Sequence, residues 1–124
     1  MAKEKYLIIV NQDELVRVSP DRIVYIVSDG NYSTIILTDA EKRVFTINLG
    51  MFQQLIESQL KTDASQFVRV GKSLIINRNY IYYICPSRQQ IILSDKDFQK
   101  RFELTASKEA LKLLKTVIES TLNE

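Results

Sequence analysis

The dipeptide Asp29-Gly30 constrains this chain more than any other pair of residues. Residues 22–27 before it (Arg-Ile-Val-Tyr-Ile-Val) and 32–37 after it (Tyr-Ser-Thr-Ile-Ile-Leu) are rich in β-branched and aromatic side chains, which suit a pleated, half-buried surface. Asp-Gly between two such runs is the strongest short hairpin signal, because a tight primed turn needs positive φ at its centre. Two paired antiparallel strands are therefore expected early in the chain. Other runs of strand length lie around them. Residues 6–10 are continuously apolar, residues 15–18 alternate after the turn chemistry of Asn11-Gln-Asp13, and residues 43–47 alternate after a second turn at Thr38-Asp-Ala-Glu41. This is the pattern of a meander.

The period then changes. Phe52, Leu55, Ile56 and Leu60 recur at three and four with Gln53, Gln54, Glu57 and Ser58 between them, and Asn48 stands where an N-cap belongs. The spacing predicts a helix of about three turns, its apolar stripe closing the open face of a sheet. Residues 61–65 read as a loop. Strands return at 67–70 and 74–76, separated by Gly71-Lys72-Ser73, and a hairpin is expected from 80–85 and 90–93 across Pro86-Ser-Arg-Gln89. A turn at 94–97 and an alternating strand at 100–104 follow. Leu111, Leu114, Ile118 and Leu122 then give helical spacing behind Ser107, a second N-cap. Lys108 in that first turn opposes the helix dipole, which makes sense if it has an anion to meet. The expected fold is mainly β with small helices: antiparallel sheets, one mid-chain helix and one C-terminal helix.

At 124 residues the chain is expected to form one domain over 1–124 with a modest core. Cys85 is its single cysteine, so an intramolecular disulfide and a metal-thiolate site are both impossible, and a reduced compartment fits best. The N-terminus has no signal-type apolar core, and no window approaches the roughly 20 apolar residues of a membrane span. A cytoplasmic protein without a membrane segment is expected.

Net charge is only +2, but it is unevenly placed. Residues 1–65 hold seven Lys/Arg against nine Asp/Glu, and residues 66–116 hold ten against four. From Ala64 to Ser94 there is no Asp or Glu, while Arg69, Lys72, Arg78 and Arg88 fall inside that window. Such polarity suits a phosphate-rich partner, since each neutralised phosphate releases counterions.

Catalytic templates find little support. The chain has no histidine, which removes His general bases, Ser-His-Asp and Cys-His systems and the commonest metal ligand. Asp95 and Asp97 lie in a polar turn and read as solvated surface. Gly71-Lys72-Ser73 ends like a phosphate-binding P-loop, but Gln66 stands where the earlier glycine belongs, and a strand follows where a helix should open. No enzyme, cofactor or metal is expected.

The central stretch Phe67-Val-Arg69-Val-Gly71-Lys72-Ser73-Leu-Ile-Ile-Asn77 resembles the signature of the LytTR-type DNA-binding domain, Phe-x-Arg-x-His-Arg-Ser-x-x-Val-Asn. Phe, the first Arg, Ser and Asn match in register. Upstream, Ile23-Val-Tyr-Ile with Tyr32 beyond it resembles the family's Ile-x-Tyr-Ile segment. Downstream, Asn79-Tyr-Ile81 resembles the segment after the signature Asn, and Ala106-Ser107-Lys108 falls on the Val-Ser-Arg that opens the last helix. The match is strongest over residues 15–118.

The resemblance implies an elongated antiparallel β fold whose loops at one edge enter successive major grooves of double-stranded DNA, in bacterial transcription regulators. By position it implies Lys72 and Lys108 as base contacts, with Asn31 and Tyr32 from a third loop. It further implies Arg69, Ser73 and the helix start at Ser107 as phosphate contacts, and Arg88 from the hairpin loop. Two departures bear on this. Lysine lacks the planar fork of the family's arginine at positions 72 and 108, which favours altered or weaker sequence specificity, and Gly71 removes a polar histidine. The alternative is a non-catalytic signalling or protein-interaction adaptor that kept the fold and binds DNA weakly and without specificity. Fewer than twenty residues precede the match, so neither a receiver nor a transmembrane domain is expected, and a stand-alone module or a piece of a longer protein is. Two copies, as a homodimer on repeated half-sites, are expected to provide useful affinity.

Overall fold

The computed structural model describes residues 5–95 and 97–123. Among these, the chain forms ten strands and two α-helices, joined by short 3₁₀ turns. The strands are β1 (Leu7–Val10), β2 (Leu15–Val18), β3 (Ile23–Asp29), β4 (Tyr32–Leu37), β5 (Lys42–Phe45), β6 (Phe67–Val70), β7 (Leu74–Asn77), β8 (Ile81–Cys85), β9 (Gln90–Asp95) and β10 (Phe98–Thr105). The helices are α1 (Leu49–Leu60) and α2 (Lys108–Ser120).

The expected hairpin forms, but its two turn residues are Gly30 and Asn31, one place later than the Asp29-Gly30 pair, with Asp29 serving as the last residue of β3 and glycine at the first central position of the turn. Asp29 closes the hairpin opposite Tyr32 and Gly30 sits at φ 64°. The β3–β4 hairpin is the middle of a five-stranded antiparallel sheet in the order β5-β4-β3-β7-β6. A three-stranded sheet, β10-β9-β8, and the β1-β2 ribbon complete the β structure.

The central sheet is covered on both faces. On one, Ile23, Ile26, Ile35 and Ile75 meet Phe52, Ile56 and Leu60 of α1, together with Leu7 and Ile9 of the ribbon. Phe45 and Phe52 make an edge-to-face pair at 5.9 Å between sheet and helix, a favourable aromatic geometry. On the other face, Val24, Leu74 and Ile76 pack with Ile91 and Leu93 of the small sheet and with Leu111 and Leu114 of α2. Tyr25 and Phe102 join the two sheets at 5.9 Å. A register shift between Ile23 and Tyr25 accounts for Val24 and Tyr25 both serving this second core: a bulge turns two successive side chains to one face.

Both helices begin where their caps predict. The Asn48 Oδ1 accepts from the Met51 amide at 2.9 Å and the Ser107 Oγ accepts from the Ala110 amide at 3.1 Å. Lys108 does not face the helix dipole alone, because Glu109 shares the first turn and complements it. Replacing Ser107 by Ala should lower stability by about 1 kcal/mol, read as a shift in the urea midpoint at constant slope.

Several local expectations are corrected. The stretch after α1 is a 3₁₀ helix, Lys61–Gln66, not an irregular loop. Strand β5 stops at Phe45, two residues short, because the Ser33 hydroxyl takes the carbonyl of Ile47 at 2.7 Å and pins the chain ahead of α1. Strand β9 runs on to Asp95. The apolar stripe of α2 ends at Ile118, leaving Leu122 exposed. Among the described residues, no helix is long and apolar enough to cross a membrane.

Candidate nucleic-acid interface

The β6–β7 turn is three residues long, and its shape is set by its first residue, Gly71, and by Arg69 in the strand that leads into it. Gly71 sits at φ 67°, a conformation that side chains rarely adopt. A Cβ added there would meet only the Ala110 Cβ at 3.7 Å, an ordinary contact, so the glycine serves the backbone and not the space around it. Arg69 folds back over the turn. Its Nε donates to the carbonyl of Gly71 at 3.3 Å, its Nη2 to the carbonyl of Lys72 at 3.1 Å and its Nη1 to the Gln53 Oε1 at 3.0 Å. Lys72 and Ser73 are exposed beyond it.

Three contacts string the other sequence-predicted residues along the same edge. The Ser28 amide donates to the carbonyl of Ser73 at 2.8 Å, which places the tip of the β3–β4 hairpin, with exposed Asn31 and Tyr32, beside the turn. Gly71 lies against Ala110, which places the start of α2, with exposed Ser107 and Lys108, on its other side. The Ala106 amide donates to the carbonyl of Gln89 at 3.2 Å, which brings in the 3₁₀ turn Pro86–Arg88 and exposed Arg88. All eight residues thus belong to one continuous rim. Of these, Arg69 has three of its donors engaged by the protein.

The rim is basic, though not purely so. Among the described residues, the ion pairs engage Lys5, Arg22, Arg43 and Lys115 and none of Lys72, Arg88 and Lys108, although the Arg88 side chain also interacts with Tyr83. Asp29 and Glu109 are exposed acids within two residues of it in the sequence. In the first turn of α2 the Ser107 side chain satisfies one amide, and the remaining orphan donors of that turn suit an anion. The single thiol, Cys85, lies two residues from Ser87, whose hydroxyl is 3.4 Å from its Sγ. That hydrogen bond, with help from the Arg88 backbone and Tyr83, holds the thiol below its usual range.

Asn77, the last residue of the signature, lies at the other end of β7 and belongs to the fold. It is fully buried. Its Nδ2 donates to the carbonyls of Ile23 at 2.9 Å and Pro20 at 3.4 Å, and its Oδ1 accepts from the Asn79 amide at 3.0 Å. The sequence left open whether this side chain holds a turn or meets DNA; it holds a turn.

Gln53 went unnoticed in the sequence. It is one of five polar residues on α1, and no spacing rule links it to Arg69, sixteen residues away.

A sequence model of the LytTr DNA-binding domain matches residues 13–119. The chain belongs to the LytTR family. As a LytTR domain it is a DNA-binding module of the kind that serves regulators, from a family that is not catalytic. Among solved structures it is similar to the LytTr DNA-binding domain of a Bacillus cereus protein described as a methyl-accepting/DNA response regulator. The TM-score is 0.61 at 16% identity, with 94% of this chain and 98% of the other covered. That likeness is one of fold. No curated protein matches the chain.

Proposed function

We propose that this LytTR domain reads double-stranded DNA sequence-specifically as the effector of a bacterial transcription regulator in the cytoplasm, inserting its rim into successive major grooves. The observation that carries this reading is the continuity of the rim: three loops and one helix start, tied together by the Ser28–Ser73, Gly71–Ala110 and Ala106–Gln89 contacts. Lys72 and Lys108 contact base edges, where an ammonium meets the guanine acceptors O6 and N7. Asn31 and Tyr32 contribute from the hairpin tip. Ser73, Arg88 and the helix start at Ser107 hold phosphates, which set register without reading sequence.

Nothing in this reading calls for a cofactor, a metal or a small-molecule substrate. One domain of this size makes a small interface, so two copies bind repeated half-sites, with effective concentration supplying the affinity that one lacks.

Footprinting of a bound duplex tests the groove geometry. Protection should fall in major grooves about one helical turn apart, 10 to 10.5 bp, with backbone protection across the minor groove between them. Uniform protection without that period, together with equal affinity for unrelated duplexes, favours the adaptor reading.

A further inference from the structure

We propose that Gln53, on α1, is a positioning residue for DNA readout: acting through Arg69, it holds the β6–β7 turn in the shape that presents Lys72 and Ser73. The inference rests on the DNA-binding reading above and reassigns one residue within it. Arg69 was expected at a phosphate. A guanidinium has five N–H donors, and three of those on Arg69 are spent on Gly71, Lys72 and Gln53. The two carbonyls it takes belong to the turn itself. Arg69 therefore acts as a fork that closes the turn from within, a geometry that lysine cannot copy.

Gln53 gives that fork a fixed reference. Its carbonyl oxygen accepts from Arg69 while its Nε2 donates to the Glu57 Oε1 at 3.3 Å, so both ends of the amide are oriented. Its neighbour Phe52 and its helix-face partner Ile56 are buried in the core under the sheet, so α1 does not move independently of the fold. The chain of contacts runs from the core, through Gln53 and Arg69, to the carbonyls of Gly71 and Lys72. A turn held in this way binds without first having to be ordered, and preorganisation of that kind raises affinity for the correct partner.

The test uses the whole chain and a duplex that the parent protein recovers from a random pool, with a scrambled duplex beside it, titrated over a salt series. Gln53→Ala should bind the recovered duplex about tenfold more weakly, the worth of one hydrogen bond to a charged group, and bind the scrambled duplex as the parent does. Its melting temperature should be unchanged, since alanine is the best helix former. Arg69→Lys should fail to rescue despite keeping the charge. Arg69→Gln should weaken specific binding with no change in the salt slope. The double variant Gln53→Ala, Arg69→Gln should be no weaker than Arg69→Gln alone, as residues acting in series are not additive.

Parent-like specific binding by Gln53→Ala overturns the inference. So does a salt slope that falls by about 0.9 in Arg69→Gln, the mark of a lost phosphate contact. If the parent recovers no duplex at all, the DNA-binding reading falls and takes the inference with it.

Discussion

Replacing Lys72 and Lys108 together by Ala is expected to weaken binding to the preferred duplex by about a hundredfold, because each well-placed base contact discriminates by about 1–3 kcal/mol. The two lysines come from different elements, the β6–β7 turn and the start of α2, which meet at Gly71 and Ala110. Elements in contact couple, so the double variant need not equal the sum of the singles. Both side chains are exposed, and surface changes of this kind usually stay within about 0.5 kcal/mol in stability. Melting should therefore be unaffected. A control that matches either single variant in charge is Lys42→Ala, exposed on β5 at the far edge of the sheet order β5-β4-β3-β7-β6; it should bind nearly as the parent does. Equal losses from the control and from each single rim variant would assign the affinity to net charge alone.

Asn77→Ala is expected to lower stability by about 3 kcal/mol, which combines a small cavity with buried partners left unpaired. The side chain is fully buried and makes three bonds: to the carbonyls of Ile23 and Pro20 and from the Asn79 amide. It thereby joins the 3₁₀ turn Pro20–Arg22 to the link between β7 and β8. The Tyr80 hydroxyl, donating to the carbonyl of Asp21, and Gln66, donating to the Asp21 Oδ1 at 2.8 Å, support the same turn through other groups. Urea unfolding should show a lower midpoint at unchanged slope. The fraction that remains folded should bind DNA normally, since Asn77 lies at the end of β7 away from the rim. A loss under about 1 kcal/mol, or a selective loss of DNA binding, contradicts this assignment.

What the sequence made legible was governed by local rules. Gly30 dictates the hairpin turn, though one place later than the Asp-Gly signal suggests, and Asn48 and Ser107 dictate their caps, because each effect acts within four residues. The strands were recognised for the same reason, as runs of β-branched residues between turn formers. The hairpin pairings were legible too, but which strands pair over long separations was not. Strand β7 joins β3 across more than forty residues and an intervening helix, and pairing at that separation is decided by burial of both sheet faces, not by any local signal. The limits of β5 and α2 were missed for a related cause: the Ser33–Ile47 bond and the end of the second core set them, and both are tertiary.

The rim shows the same division. Its eight residues were nameable because their types and order resemble the LytTR signature, and the fold brings them to one edge. Their roles depend on three-dimensional facts that spacing does not carry. For Arg69, the carbonyls of Gly71 and Lys72 within its reach are what support the proposal that it closes the turn. Asn77 suits a turn and a contact equally until its burial is seen. Gln53 has no signature at all.

The most direct test of specific readout is selection of bound sequences from a random duplex pool at about 150 mM salt, where a Debye length of about 8 Å screens non-specific attraction. A motif repeated at a spacing of about one or two helical turns is the predicted result. A pool that stays random, with binding that falls steeply in salt for every duplex alike, would contradict sequence-specific readout by this rim.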